Sequence, residues 1–197
     1  MSFEDKDLAL FTRWRAGDNG AGGALIKRYF AALHRFFSTK ARGHEEDLIQ
    51  CTFAACVEAR DAFRGEATFR TYLFKLARFQ LFTHYRKVYR HGDIDFTTTS
   101  IHDLGTSPSG QLLRREEREL LERALQLLPV DQQIALELTY WEALSAPEIA
   151  EVLGIPENTV YSRLRRAKEH LREALAQLTT RPVERDHALA LLTREGE

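Results

Sequence analysis

The sequence predicts an all-α protein made of two small helical domains joined by a flexible linker. Three observations carry that expectation. Apolar residues recur at helical spacing along most of the 197 residues, and no segment shows the strict alternation of a half-buried strand. The stretch HGDIDFTTTSIHDLGTSPSG, residues 91–110, contains no Lys or Arg and is punctuated by Ser, Thr, Gly and Pro, which is the chemistry of a linker. Leu144 to Leu175 contains a short helix, a Gly-centred turn and a longer helix with an arginine-rich face. The expected organisation is a first domain over 1–90, a linker over 91–110, a second domain over 111–178 and a C-terminal extension over 179–197.

Taken in order, the first helix spans Asp5 to about Ala16 and runs into GDNGAGG, read as a breaker. Ala24 to Lys40 follows, with Leu25, Tyr29, Leu33 and Phe36/Phe37 on one stripe. A third helix covers Glu45 to Asp61, its first turn carrying Glu45, Glu46 and Asp47 where carboxylates complement the helix dipole. FRGEA interrupts, and a long helix then runs from Thr68 to Val88 with an expected packing stripe of Phe69, Leu73, Leu76, Ala77 and Gln80. The second domain is expected to hold helices over Leu112–Leu128 and Asp131–Ala143. In the tail, HALALL predicts one further short helix.

The Leu144–Leu175 segment is built from local signals. Ser145 and Glu148 form a capping box at a helix start. Ile149, Val152 and Leu153 repeat at helical spacing until Gly154 ends the helix and Pro156 prevents its continuation. The second helix puts Val160, Leu164, Ala167, Leu171, Ala174, Leu175 and Leu178 on one stripe at about 100° per residue. Its other face carries Asn158, Thr159, Tyr161, Ser162, Arg165, Arg166, Glu169 and Arg172, groups that reach base edges or phosphates in a DNA groove.

The Thr68–Val88 helix interleaves cations with rings. Lys75, Arg78, Phe79, Phe82, Tyr85 and Arg86 are expected within one arc, flanked by Arg70, Tyr72, Phe74 and Lys87. Single-stranded nucleic acid uses both kinds of side chain, because cations follow phosphates while rings stack on unpaired bases. FRGEA at the helix entrance, with Arg64, is a candidate pocket for an extruded base.

The net charge of −1 conceals a separation. Arg64 to Arg90 holds seven basic residues and one acidic, whereas Arg114 to Glu151 holds four basic and nine acidic. With 44% hydrophobic and 29% charged residues the chain is globular and not disordered. No apolar run is long enough to span a bilayer, and MSFEDKDLALF lacks a signal-peptide layout, so a cytoplasmic protein without membrane insertion is expected. Cys51 and Cys56 have no second Cys/His pair spaced for zinc. No paired carboxylates, nucleophile arrangement or ligand set stands out, so no catalytic residue, metal or cofactor is expected.

Asp47 to Lys87, followed by a linker and Leu127 to Leu175, resembles bacterial sigma factors of the extracytoplasmic-function type, minimal two-domain members of the sigma-70 family. The likeness covers about Asp7 to Leu178. It implies a region 2-like four-helix domain and a region 4-like helix-turn-helix domain. It implies core RNA polymerase as partner, through the β′ clamp helices and the β flap, with Asp47, Leu48 and Gln50 on the docking helix. It further implies that Phe63 to Thr68 capture a flipped base of the minus-ten element, that Arg70 through Lys87 bind the melting strand, and that Asn158 to Lys168, including Arg163 and Lys168, enter the major groove at the minus-thirty-five element. An anti-sigma factor is a candidate further partner. Phe79 stands where the family often has Asn, Thr83 where it has Asp, Tyr72 where it has Trp, Cys51 where it has Glu and Tyr161 where it has Lys.

Two other functions compete with promoter recognition. A conventional helix-turn-helix regulator with an N-terminal effector or dimerisation domain predicts tight DNA binding without polymerase, but leaves the ring-and-cation face of the first domain unexplained. A helical enzyme or scaffold predicts a reactive constellation that the sequence lacks.

Overall fold

The computed structural model describes residues 3–60, 67–89, 94–104 and 116–194, and the chain divides into two compact units, Met1–Val88 and Tyr89–Glu197. Among the described residues every regular element is an α-helix, as the periodicity predicts.

The first unit contains α1 (Phe3–Arg15), α2 (Asn19–Ser38), α3 (Glu45–Glu58) and α4 (Phe69–Val88). GDNGAGG breaks the helical run as expected, but only at its first two residues, and the helix restarts earlier than Ala24. Gly17, at φ +102°, makes the turn, and α2 begins at Asn19 with Asp18 as its cap, accepting from the Ala21 N–H at 3.1 Å. The Arg13 guanidinium donates to the other Asp18 oxygen at 2.6 Å. The glycines serve proximity here, for a Cβ on Gly22 would lie 2.5 Å from Trp14 Nε1. Phe11 meets both Trp14 and Phe69, with ring centroids 5.8 and 5.5 Å apart. Buried Asp7 on α1 is ion-paired with Arg28 and accepts from the Tyr29 hydroxyl on α2, which closes the hairpin.

The second unit contains residues 94–104, α5 (Glu116–Gln126), α6 (Val130–Tyr140), α7 (Ala146–Leu153), α8 (Glu157–Leu178) and α9 (Pro182–Arg194). Residues 94–104, expected in the linker, are folded onto this unit. Phe96, Ile101 and Leu104 are buried, and Ser100 pairs with Pro129 in an antiparallel bridge. The carbonyls of Thr99 and Phe96 accept from the Val130 and Asp131 N–H groups at 3.0 and 3.1 Å. These bonds satisfy the start of α6, whose Pro129 cap supplies no side-chain acceptor. A core of Leu121, Leu125, Leu136, Leu171 and Leu175 joins α5, α6 and α8. The tail forms the thirteen-residue α9, which adds Ala188 and Leu192 to that core.

Gly22→Ala is expected to displace Trp14 and cost about 1–3 kcal/mol, seen as a lower denaturation midpoint. Gly23→Ala is the control: its added Cβ meets nothing within 4 Å, so the change is expected to be neutral or stabilising by up to about 1 kcal/mol.

Candidate nucleic-acid interface

α7, the turn and α8 form as their local chemistry dictates. Glu148 Oε2 accepts from the Ser145 backbone N–H at 2.9 Å and from Ser145 Oγ at 2.7 Å. Gly154 is left-handed at φ 67°, ψ 38°, and its N–H returns to the Ala150 carbonyl. Val160, Ala167, Leu171, Ala174 and Leu175 are buried, with Leu164 and Leu178 packed against the same core.

That rotation leaves Asn158, Tyr161, Ser162, Arg165 and Arg166 exposed, with Thr159 half-buried. Arg163 does not join them. Its guanidinium donates to Asp131 Oδ2 at 2.9 Å, with the two side chains only 15% and 4% exposed. Arg163 is therefore a strut from α8 to α6 and not a groove-facing cation. Lys168 is half-buried, its ammonium 5.4 Å from the centre of the Tyr140 ring. The sequence did not single out Glu157, which is exposed in the first turn of α8 and accepts from the Tyr161 hydroxyl at 3.3 Å.

On α4 the helix is rotated away from its expected stripe. Phe69, Leu73, Phe74, Ala77, Leu81, Phe82 and Tyr85 are buried, while Leu76 and Gln80 are only half-buried. Phe82 and Tyr85, expected on the nucleic-acid face, belong to the core. The Tyr85 hydroxyl donates to the Lys40 carbonyl at 2.6 Å, and the Arg78 guanidinium lies 4.3 Å from the Phe82 ring centre. Tyr72, Lys75, Phe79, Thr83 and Arg86 follow one another at three- and four-residue steps, which places them along one side of the cylinder. Phe79 is 61% exposed, and Lys75, Thr83 and Arg86 are exposed with it. Lys87 is exposed, and Arg70, Tyr72 and Arg78 are half-buried. Arg64 and most of the FRGEA loop lie outside the described residues.

α3 also separates its expected docking residues. Asp47 and Gln50 are exposed, whereas Leu48 is 5% exposed and packs inward. Cys51 and Ala54 share the outward stripe with Asp47 and Gln50 at steps of three and four. Cys56 faces the core, where burial pushes its thiol up to about 12. At one end of α3, the His44 and His84 rings are 4.7 Å apart. Burial lowers the His84 pKa, His44 and Lys87 lower it further, and Asp47 opposes them. Among the described residues no three His, Cys, Asp or Glu side chains are grouped to hold a metal.

The models "Sigma-70 region 2" and "Sigma-70, region 4" match residues 25–91 and 118–171. The "ECF RNA polymerase sigma-E factor" of Salmonella typhimurium and that of Escherichia coli K12 are each 29% identical over 195 residues, covering 92% of this chain and all of theirs. The chain is an extracytoplasmic-function sigma factor of the sigma-70 family. Among solved structures, CnrH in complex with the cytosolic domain of CnrY superposes on this sigma factor with a TM-score of 0.66 at 26% identity, covering 88% of this chain and 99% of that one. The sigma factor RpoE of Bartonella quintana, solved with the anti-sigma factor NepR, shares the fold at a TM-score of 0.60 and 22% identity, covering 78% and 96%. The tail of this sigma factor, including α9, lies beyond the matched region 4.

Tyr85→Phe in this sigma factor is expected to cost about 1 kcal/mol in equilibrium unfolding, because the Lys40 carbonyl loses its donor. Phe79→Ala is expected to change stability by less than about 0.5 kcal/mol, since the ring faces water. His84 gives a pH signature. Its pKa is depressed in the folded state, so the unfolded chain binds more protons near the ordinary histidine range of about 6.5. Stability is therefore present above that range and falls as the pH drops through it. Thermal unfolding between pH 8 and pH 5 is expected to show this decline, and His84→Gln to flatten it.

Proposed function

We propose that this alternative sigma factor binds core RNA polymerase and holds promoter DNA through two separate surfaces, one for each promoter element, without catalysing a reaction of its own. The observation that carries the reading is the exposed side of α4, where Phe79 stands between Lys75 and Arg86 in the same chain as a basic helix-turn-helix. An exposed ring flanked by cations fits a single strand, whose unpaired base gains about 1–3 kcal/mol by stacking on it.

The roles are those that the resemblance to sigma factors implies, given to the residues that exposure leaves available. Asp47 and Gln50 on α3 dock on the β′ clamp helices, with Cys51 and Ala54 in the same footprint, and the second unit meets the β flap. Lys75, Arg86 and Lys87 follow the phosphates of the opening minus-ten strand while Phe79 stacks on a base, with Arg70, Tyr72 and Arg78 at the edges of that surface. Asn158, Tyr161, Ser162, Arg165 and Arg166 enter the major groove at the minus-thirty-five element, where the N-terminal turns of a recognition helix reach base edges. Thr159 and Lys168 border them. Phosphate contacts set the register and base contacts supply the sequence. The complex of CnrH with the cytosolic domain of CnrY supports a protein partner for this chain too, for which an anti-sigma factor is the candidate. Work alongside the polymerase places the protein in the cytoplasm.

The test is co-purification with core RNA polymerase, then transcription from a randomised promoter library. Asp47→Lys with Gln50→Lys is expected to weaken core binding at least tenfold while the fold is kept. Phe79→Ala is expected to leave core binding intact and to lower initiation on duplex promoters about five- to a hundredfold, with rescue on templates opened beforehand across the minus-ten element. Tight, sequence-specific duplex binding with no affinity for core polymerase would instead identify a conventional helix-turn-helix regulator.

A further inference from the structure

Tyr161 is the exposed large aromatic side chain of α8, 58% accessible in the helix's second turn. A helical side chain leans toward the N-terminus, so its ring covers the turn before it. The bond from its hydroxyl to Glu157 Oε1 at 3.3 Å shows that lean directly. The ring thus lies over the leading turn of the recognition helix, beside Asn158 and one turn before Arg165. A ring and a carboxylate are poor ligands for phosphate, since Glu157 repels it and the Tyr161 hydroxyl is already directed to Glu157. They suit the floor of the groove, where thymine presents a C5-methyl group and cytosine an N4 amino donor.

We propose that Tyr161 and Glu157 form one base-reading unit, in which the Tyr161 ring packs on a thymine methyl of the upstream promoter element and Glu157 both orients the ring and accepts from a neighbouring cytosine amino group. The unit deepens the sigma-factor reading and rests on it. An exposed ring with free rotation loses entropy on docking; the Glu157 contact restricts it beforehand.

The test uses the full-length chain bound to core polymerase. An upstream element is selected from a randomised duplex library, and each thymine in it is then replaced singly by deoxyuridine, which removes the methyl and nothing else. One substitution is expected to weaken holoenzyme binding about three- to fourfold, the amount associated with burying a single methyl. Tyr161→Phe is expected to keep this methyl effect and Tyr161→Ala to abolish it. Glu157→Gln is expected to relax the preference for cytosine beside that thymine. Indifference of the wild type to every methyl, or a full methyl effect in Tyr161→Ala, overturns the inference while leaving the sigma-factor reading in place. If no upstream element can be selected although core polymerase is bound, the recognition-helix reading fails and this inference fails with it.

Discussion

Val160, Ala167, Leu171, Ala174 and Leu175 hold α8 to its own unit, and the rotation they fix decides which side chains reach water. Leu171 and Leu175 alone contribute on the order of 3–6 kcal/mol through burial. The Arg163–Asp131 pair acts in the same direction but is the smaller effect, because two charges taken out of water recover little more than their lost hydration. Burial sets the rotation, and the ion pair narrows it. A slip of one residue, about 100°, would carry the arginines toward the core and the leucines into the groove. The surface proposed to read DNA is what remains once the core has been satisfied.

This dependence explains what could be read from the sequence. The α7–turn–α8 unit was legible because its signals are local: Ser145 with Glu148, Gly154 at positive φ, and Pro156 just beyond. Each acts within one turn and needs no neighbour. α4 was legible as a helix but not in its rotation. Apolar and aromatic residues occur around its whole circumference, so periodicity alone does not choose a face. The choice is tertiary, made by Phe36 against Phe74 and by the Lys40 carbonyl awaiting Tyr85. Of the five rings expected on or beside the nucleic-acid face, Phe79 is the one left well exposed, with Tyr72 half-buried beside it. The glycine run in the first turns of α2 misled for a related reason. Glycine permits a turn, but Gly22 is there because Trp14 occupies the space of a side chain.

Polar residues were the hardest to place. Asp131, Gln132, Gln133 and Glu137 would ordinarily mark a solvated face, yet all are buried on α6. Three contacts account for this: Asp131 takes Arg163, Gln132 pairs with His170 at 2.8 Å, and Gln133 donates to Glu137 at 2.9 Å. Two of the three tie α6 to the recognition helix. Residues 94–104 make a similar point about linkers. Their composition correctly announces irregular backbone, but a segment without regular structure can still supply acceptors. Here its carbonyls complete the first turn of the helix that braces α8.

The charge distribution bears on why such a chain works as a subunit. On α8 the exposed arginines are Arg165, Arg166 and Arg172, and on α4 the exposed cations in the ring-bearing region are Lys75, Arg86 and Lys87. Each phosphate neutralised contributes about 0.9 to the slope of log affinity against log salt. Three contacts from one surface therefore lose roughly fortyfold when salt rises fourfold. A chain with a net charge of −1 adds no long-range attraction to offset that loss. On the proposed reading, either surface alone is expected to bind DNA weakly at cellular salt. Anchoring both on one large partner turns the second contact into an intramolecular event and multiplies the two affinities through effective concentration. Weak single surfaces would also keep an unpartnered chain from occupying promoters, so a modest cationic face would serve a promoter-specificity subunit better than a strong one.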